Sequence, residues 1–349
     1  MPDSDLSPAM VHELASLRER LSILTGPQGP EVSPDTVFSV VEKMAERHRA
    51  VHEAIVALAV RHLADTGFGG PPVTFSFMML GSGARREQSV MSDQDHALVY
   101  AAGREDPAVD DAYFSRLGSV TSALLRRVGY ALCTGNVMAG NPRWRGTEAD
   151  FKTRLAEYAA YPDWHNIRFL LIPTDAAPIT GSERSVSEIR RFGAELVAGS
   201  PFIKWKIGDQ IQSVRLAVSS LGGIRFEPAG PHKGTFAVKE GLYQPLVNVV
   251  RLFALASGVE GPSTEQRIQG LARRGVFEPN LADEVRRALA VALTVRVRHH
   301  MALQARGAPA DDHVPEAELD EVLRHGVRQA LRVARQVQQL AGRRFPRSG

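Results

Sequence analysis

The chain has 349 residues, 44% of them hydrophobic and 23% charged, with a formal net charge of +3. That composition suits one large or two ordinary globular domains and excludes wholesale disorder. No apolar run approaches the ~20 residues of a membrane-spanning helix. The mild positive charge gives no reason to expect nucleic acid as a partner. The single cysteine, Cys133, excludes an intrachain disulfide and a zinc site built from cysteines.

Residues 1–8 read as disordered. The acidic start Met1-Pro2-Asp3-Ser4-Asp5 lacks a signal-peptide pattern, so a cytoplasmic location is expected. Met10, Leu14, Leu17, Leu21 and Leu24 recur at helical spacing and predict an amphipathic helix over residues 9–25. Gly26-Pro27-Gln28-Gly29-Pro30 breaks it. A second helix opens at Ser33-Pro34-Asp35, with Ser33 as N-cap and Pro34 at its first position, and runs to Asp65. His48 and His62 fall near its apolar face and read as buried or rim histidines rather than metal ligands.

Residues 66–72 form a loop. Val73, Phe75, Phe77 and Met79 then alternate with Thr74, Ser76 and Met78, the period of a strand. Gly81-Ser82-Gly83 is a small-residue turn that lets backbone N–H groups and a hydroxyl face an anion. Asp93 and Asp95 stand two apart at the start of a second strand over residues 97–100. Side chains at that spacing share a face, so both carboxylates can grip the same hard cations.

Residues 103–111 read as a polar connection and 113–128 as a helix. The Gly- and Asn-rich segment 131–144 is an ordered loop, either a cover over a ligand or a turn between layers. Within it, Cys133 reads as a small core residue. A helix over 148–159 and a strand over 167–173 follow. Asp175, before Pro178, reads on its own as a turn residue. Beyond Ser185 the pattern is helical: a loop over 221–234, a helix through Ser257, another capped by Ser263 or Thr264, and two long amphipathic helices. His299 and His300, adjacent on a helix, point apart and do not share a metal.

A Gly-Ser turn followed by an Asp-x-Asp strand resembles the polymerase-beta-like nucleotidyltransferase superfamily. The longer run from Gly81 through Arg85, Glu87, Gln88 and Ser92 to Asp95 closely resembles the DUF294 nucleotidyltransferases, relatives of the PII-protein uridylyltransferase. Leu132, Cys133, Val137, Ala139, Asn141 and Trp144 match a second stretch of that family, and Lys239, Gly241, Pro245 and Leu246 a third. With the periodicity, the resemblance gives an α+β fold: the N-terminal helices read above over 1–65, a small mixed-sheet nucleotidyltransferase domain over 66–184 as the resemblance implies, and the helical bundle over 185–349, to which the resemblance assigns substrate binding.

It also implies transfer of a nucleoside monophosphate from an NTP to a protein or small-molecule hydroxyl, in signalling or regulation. Two magnesium ions would be held by Asp93, Asp95 and Asp175. Gly81, Ser82, Gly83, Arg85, Arg86 and Lys239 would bind the nucleotide, with Glu87 orienting Arg85. The chain departs from the family at Ala84 and Arg86, where Gly is usual, at Ala177, where Arg is usual, and at Ser182, where Asp is usual. A non-catalytic nucleotide sensor is the alternative, and a helical interaction protein on a transferase scaffold a third reading. No membrane partner is expected; a homo-oligomer is compatible with the sequence.

Overall fold

The computed structural model describes residues 6–27, 32–103, 107–220 and 222–346. The chain divides into two compact units: residues 1–24, 43–161 and 168–193, and residues 25–42, 162–167 and 194–349. The disorder expected at the start lies outside the described residues up to residue 5. At Leu6 and Ser7 the chain is instead tied down: Leu6 is buried, and the Ser7 hydroxyl accepts from Met10 N–H as cap of helix α1 (Pro8–Ser22). Helix α2 (Pro34–Asp65) spans the predicted range.

The first unit is built on a four-stranded mixed sheet. Its strands are β1 (Phe75–Met79), β2 (His96–Tyr100), β3 (Arg145–Thr147) and β4 (Ala177–Thr180), in the order β3-β2-β1-β4. β1 pairs antiparallel with β2, Phe75 opposite Tyr100 and Met79 opposite His96, and antiparallel with β4. β2 and β3 run parallel, so a crossover must join them. That crossover contains α4 (Pro107–Val128), which buries Phe114, Leu117, Leu124 and Leu125. β2 is buried at every position, the mark of a strand covered on both faces.

Two sequence expectations are corrected here. The helix expected over 113–128 begins at Pro107, because proline opens a helix without losing a bond, and the polar connection shortens accordingly. The strand expected over 167–173 is helix α6 (Trp164–Leu171), followed by a 3₁₀ turn at Ile172–Asp175. Ile167, Leu170 and Leu171 are buried at positions i, i+3 and i+4, a helical stripe inside an apolar run that looked continuous. The strand lies further on, at β4. Its Pro178 is tolerated because β4 is an edge strand, where a missing N–H costs no ladder bond.

Between these elements come α3 (Gly81–Ala84) and α5 (Glu148–Ala160), the latter opened by a capping box of Thr147 and Asp150. Helix α7 (Glu183–Gly199) leaves the sheet region. In the second unit, α8 (Pro201–Ser213), α9 (Gln244–Ala256), α10 (Thr264–Arg273), α11 (Pro279–Ala305) and α12 (Glu321–Arg344) form a helical bundle. α11 buries residues around most of its circumference from Ala288 to Val297, as a central helix must. A small antiparallel hairpin of β5 (Thr235–Ala237) and β6 (His313–Pro315) completes this unit.

Candidate active site

The turn after β1 is the first part of the site. Gly81 lies at φ +56°, a left-handed conformation that favours glycine. A Cβ there would stand 2.5 Å from Asp95 Oδ2, so the missing side chain is what lets the carboxylate sit against the turn. The helical bonds of α3 begin only where Ala84 N–H donates to Leu80 O, so the amides of Ser82 and Gly83 precede them. Arg86 sits at φ +61°, which explains why this position suits the glycine usual in the resembled family.

The second part is the segment leading into β2. Leu80 N–H donates to Asp95 O (2.9 Å) and links it to the turn. Gln94, fully buried, points the other way and donates to Ser122 O and Tyr130 O. Alternation therefore sends Asp93 and Asp95 to the opposite face, half-buried. This segment is zipped to the Gly- and Asn-rich loop: Gln94 N–H donates to Ala131 O, Ala131 N–H to Ser92 O, and His96 N–H to Val137 O. The loop is an ordered neighbour of the carboxylates.

That zip corrects the reading of Cys133. It is half-buried, and its sulfur converges with carboxylate oxygens of Asp93 and Asp95, all within 4.8 Å of one another. Burial and the adjacent Asp95 carboxylate push the thiol up to about 12. The available signal was its place in the family's second motif; a lone cysteine after apolar residues carried none. The donor chemistry fits a divalent cation: two hard oxygen donors on one face, with Asp95 set against the bare Cα of Gly81.

Asp175 is outside that converging group. It is almost wholly buried, and Arg85 Nη1 donates to its Oδ2 (2.8 Å), while Arg85 Nε donates to Glu87 Oε2 (2.9 Å). One guanidinium thus bridges the turn, the segment after it and the 3₁₀ turn before β4. Glu87 does hold Arg85, as expected. Ala177 lies opposite Met79, near the Gly81 end of β1. Ser182 lies at the other end, where its N–H donates to Ser76 Oγ (2.7 Å), beside an open cavity of about 1120 Å3 lined by Phe75, Tyr100, Thr147 and Ser182. Lys239 belongs to the second unit, in a π-helical turn at Lys239–Tyr243, with its Nζ 3.8 Å from Asp312 Oδ2.

Three buried histidines brace the site from behind, and sequence reasoning gave them no such role. His48 on α2 donates through Nε2 to Ser89 O (3.0 Å) and meets Tyr130 OH at Nδ1 (2.7 Å). His52 donates to His48 O, and His96 Nδ1 accepts from Ala139 N–H (3.1 Å). Burial lowers His48 to about 3, His52 to about 4 and His96 to about 3, so all three are neutral at pH 7. Arg145 fixes the far end of the loop, forking onto Asp111 and donating to Gly140 O.

Two family models match the chain. "Putative nucleotidyltransferase DUF294" covers residues 36–165, and "Putative nucleotidyltransferase substrate binding domain" covers residues 205–345. No curated protein matches it.

Proposed function

The chain belongs to the DUF294 nucleotidyltransferase family, and from that premise we propose that it is a magnesium-dependent nucleotidyltransferase. It moves a nucleoside monophosphate from an NTP to a hydroxyl on a protein or small molecule, in a regulatory role. The observation that carries this reading is the convergence of Asp93 and Asp95 beside the turn at Gly81, which has no side chain to displace Asp95.

In this reading Asp93 and Asp95 hold the metal, and Gly81, Ser82 and Gly83 bring backbone amides to the phosphates. Bound magnesium would supply positive charge to the phosphate oxygens as the nucleotide linkage is exchanged. The chain's own contribution is positioning. Leu80 N–H on Asp95 O ties the carboxylate segment to the turn, and the bonds from Ala131 and Val137 fix the loop beside it. Asp175 acts by holding Arg85, and Arg85 by keeping the turn and the 3₁₀ segment in one arrangement. The acceptor is bound by residues 205–345, in keeping with the description of that family model.

The test is labelled-NTP incorporation with magnesium in a lysate, wild type against Asp93→Asn and Asp95→Asn. Incorporation that disappears in both variants supports the reading. Magnesium–NTP binding without pyrophosphate release would replace it with the sensor, and no NTP binding at millimolar concentration would remove both.

A further inference from the structure

Asp93 and Asp95 account for a magnesium site by themselves; the sulfur beside them does not belong to one. Magnesium takes oxygen ligands, whereas zinc and its softer relatives take thiolate together with carboxylate. We infer that Asp93, Asp95 and Cys133 form an oxygen–oxygen–sulfur site for a thiophilic divalent cation, zinc being the type, which competes with magnesium for the same carboxylates. The inference rests on the metal site proposed above and names its regulation.

Two independent features support it. The first is convergence: the three donor atoms already lie within 4.8 Å of one another. Metal–ligand bonds of 2.0–2.3 Å put tetrahedral ligand atoms about 3.5 Å apart, so side-chain shifts of about 1 Å close the site. The second is the backbone around the sulfur. Asn136, at φ +53°, turns the chain inside a bond from Asn136 N–H to Cys133 O. The N–H groups of Gly135 and Val137 then hydrogen-bond the Cys133 sulfur. These bonds hold the sulfur in place beside the two carboxylates. A cysteine serving only as a small apolar filler has no use for them.

Cation binding forms a sulfur–metal bond and releases the thiol proton to solvent; no electrons are transferred. Three protein donors leave a coordination position open. A zinc-loaded site would hold the carboxylates that magnesium needs, so zinc would inhibit transfer and magnesium would relieve the inhibition.

The chain has a single cysteine, so every thiol signal reports Cys133. Cobalt(II) added to the full-length protein should produce a near-ultraviolet sulfur-to-metal charge-transfer band at one equivalent, and zinc should bleach it. Zinc should also slow iodoacetamide alkylation of Cys133, followed by mass spectrometry, by at least about tenfold. Cys133→Ser should lose the band and lower the zinc-to-magnesium affinity ratio by about tenfold or more. The wild-type alkylation assay keeps the test open should that variant fold poorly.

Zinc or cobalt binding with no charge-transfer band and no change in alkylation overturns the inference. Magnesium-dependent transfer would then leave the proposed function standing. A band abolished by Cys133→Ser in a protein that transfers no nucleotide would support the site and remove the proposed function.

Discussion

Asp93 and Asp95 face each other and a thiol; Asp175 and Glu87 face one guanidinium. The first pair is half-buried and presents two like charges that a cation could bridge. The second is buried, and Arg85 pairs with both of its members. All are carboxylates, yet the first pair converges with a third donor atom and the second pair with a cation of the chain's own. The difference lies in what the backbone brings opposite them: a glycine turn and a zipped loop in one case, an arginine from the turn itself in the other.

Replacement tests this contrast most severely. Asp93→Asn should cut nucleotide incorporation at least about 10³-fold, or about 4 kcal/mol of transition-state stabilisation, without lowering the unfolding midpoint. Arg85→Ala should instead act on the fold, costing about 3 kcal/mol in denaturant unfolding, because two buried carboxylates lose their partner. If Asp175→Asn abolished metal binding and left stability untouched, the distinction between the two sets would be broken.

The bracing histidines sharpen it further. Their folded values lie below the ordinary 6.5, so the unfolded chain binds more protons between about pH 3 and 6.5. Stability from each is full above 6.5 and is lost as pH falls, by about 1.4 kcal/mol per unit for one histidine. His48→Gln should flatten the measured acid slope by that amount. The smallest expected effect is at Arg86, where relief of the left-handed strain in Arg86→Gly should raise stability by up to about 1 kcal/mol in the same unfolding assay.

The sequence made the Gly81 turn and the Asp93–Asp95 pair legible because both depend on local spacing: a residue without a side chain, and two carboxylates on alternate positions of one strand. α2 was legible for a similar reason, since its cap and periodicity lie along one stretch. What stayed hidden depends on pairing across the fold. Cys133 reaches the carboxylates only because residues 92–96 and 131–137 hydrogen-bond to each other. Asp175 meets Arg85 through a 3₁₀ turn that was read as lying beyond a strand. α6 was misread because an apolar run of strand length hides a helical stripe unless the buried positions are known.

β1 is one of the two interior strands, and it is made first. It pairs on one side with β2, close by in the chain, and on the other with β4, which follows only after the crossover through α4, the loop and β3. During synthesis, the apolar β1–β2 pair therefore leaves the ribosome well before the strand that covers its open edge. Until residues 177–180 emerge, that edge is a template for pairing with another chain. A nascent chain stalled before this point would carry the whole Gly81–Asp95 motif on a half-finished sheet, a natural client for a chaperone.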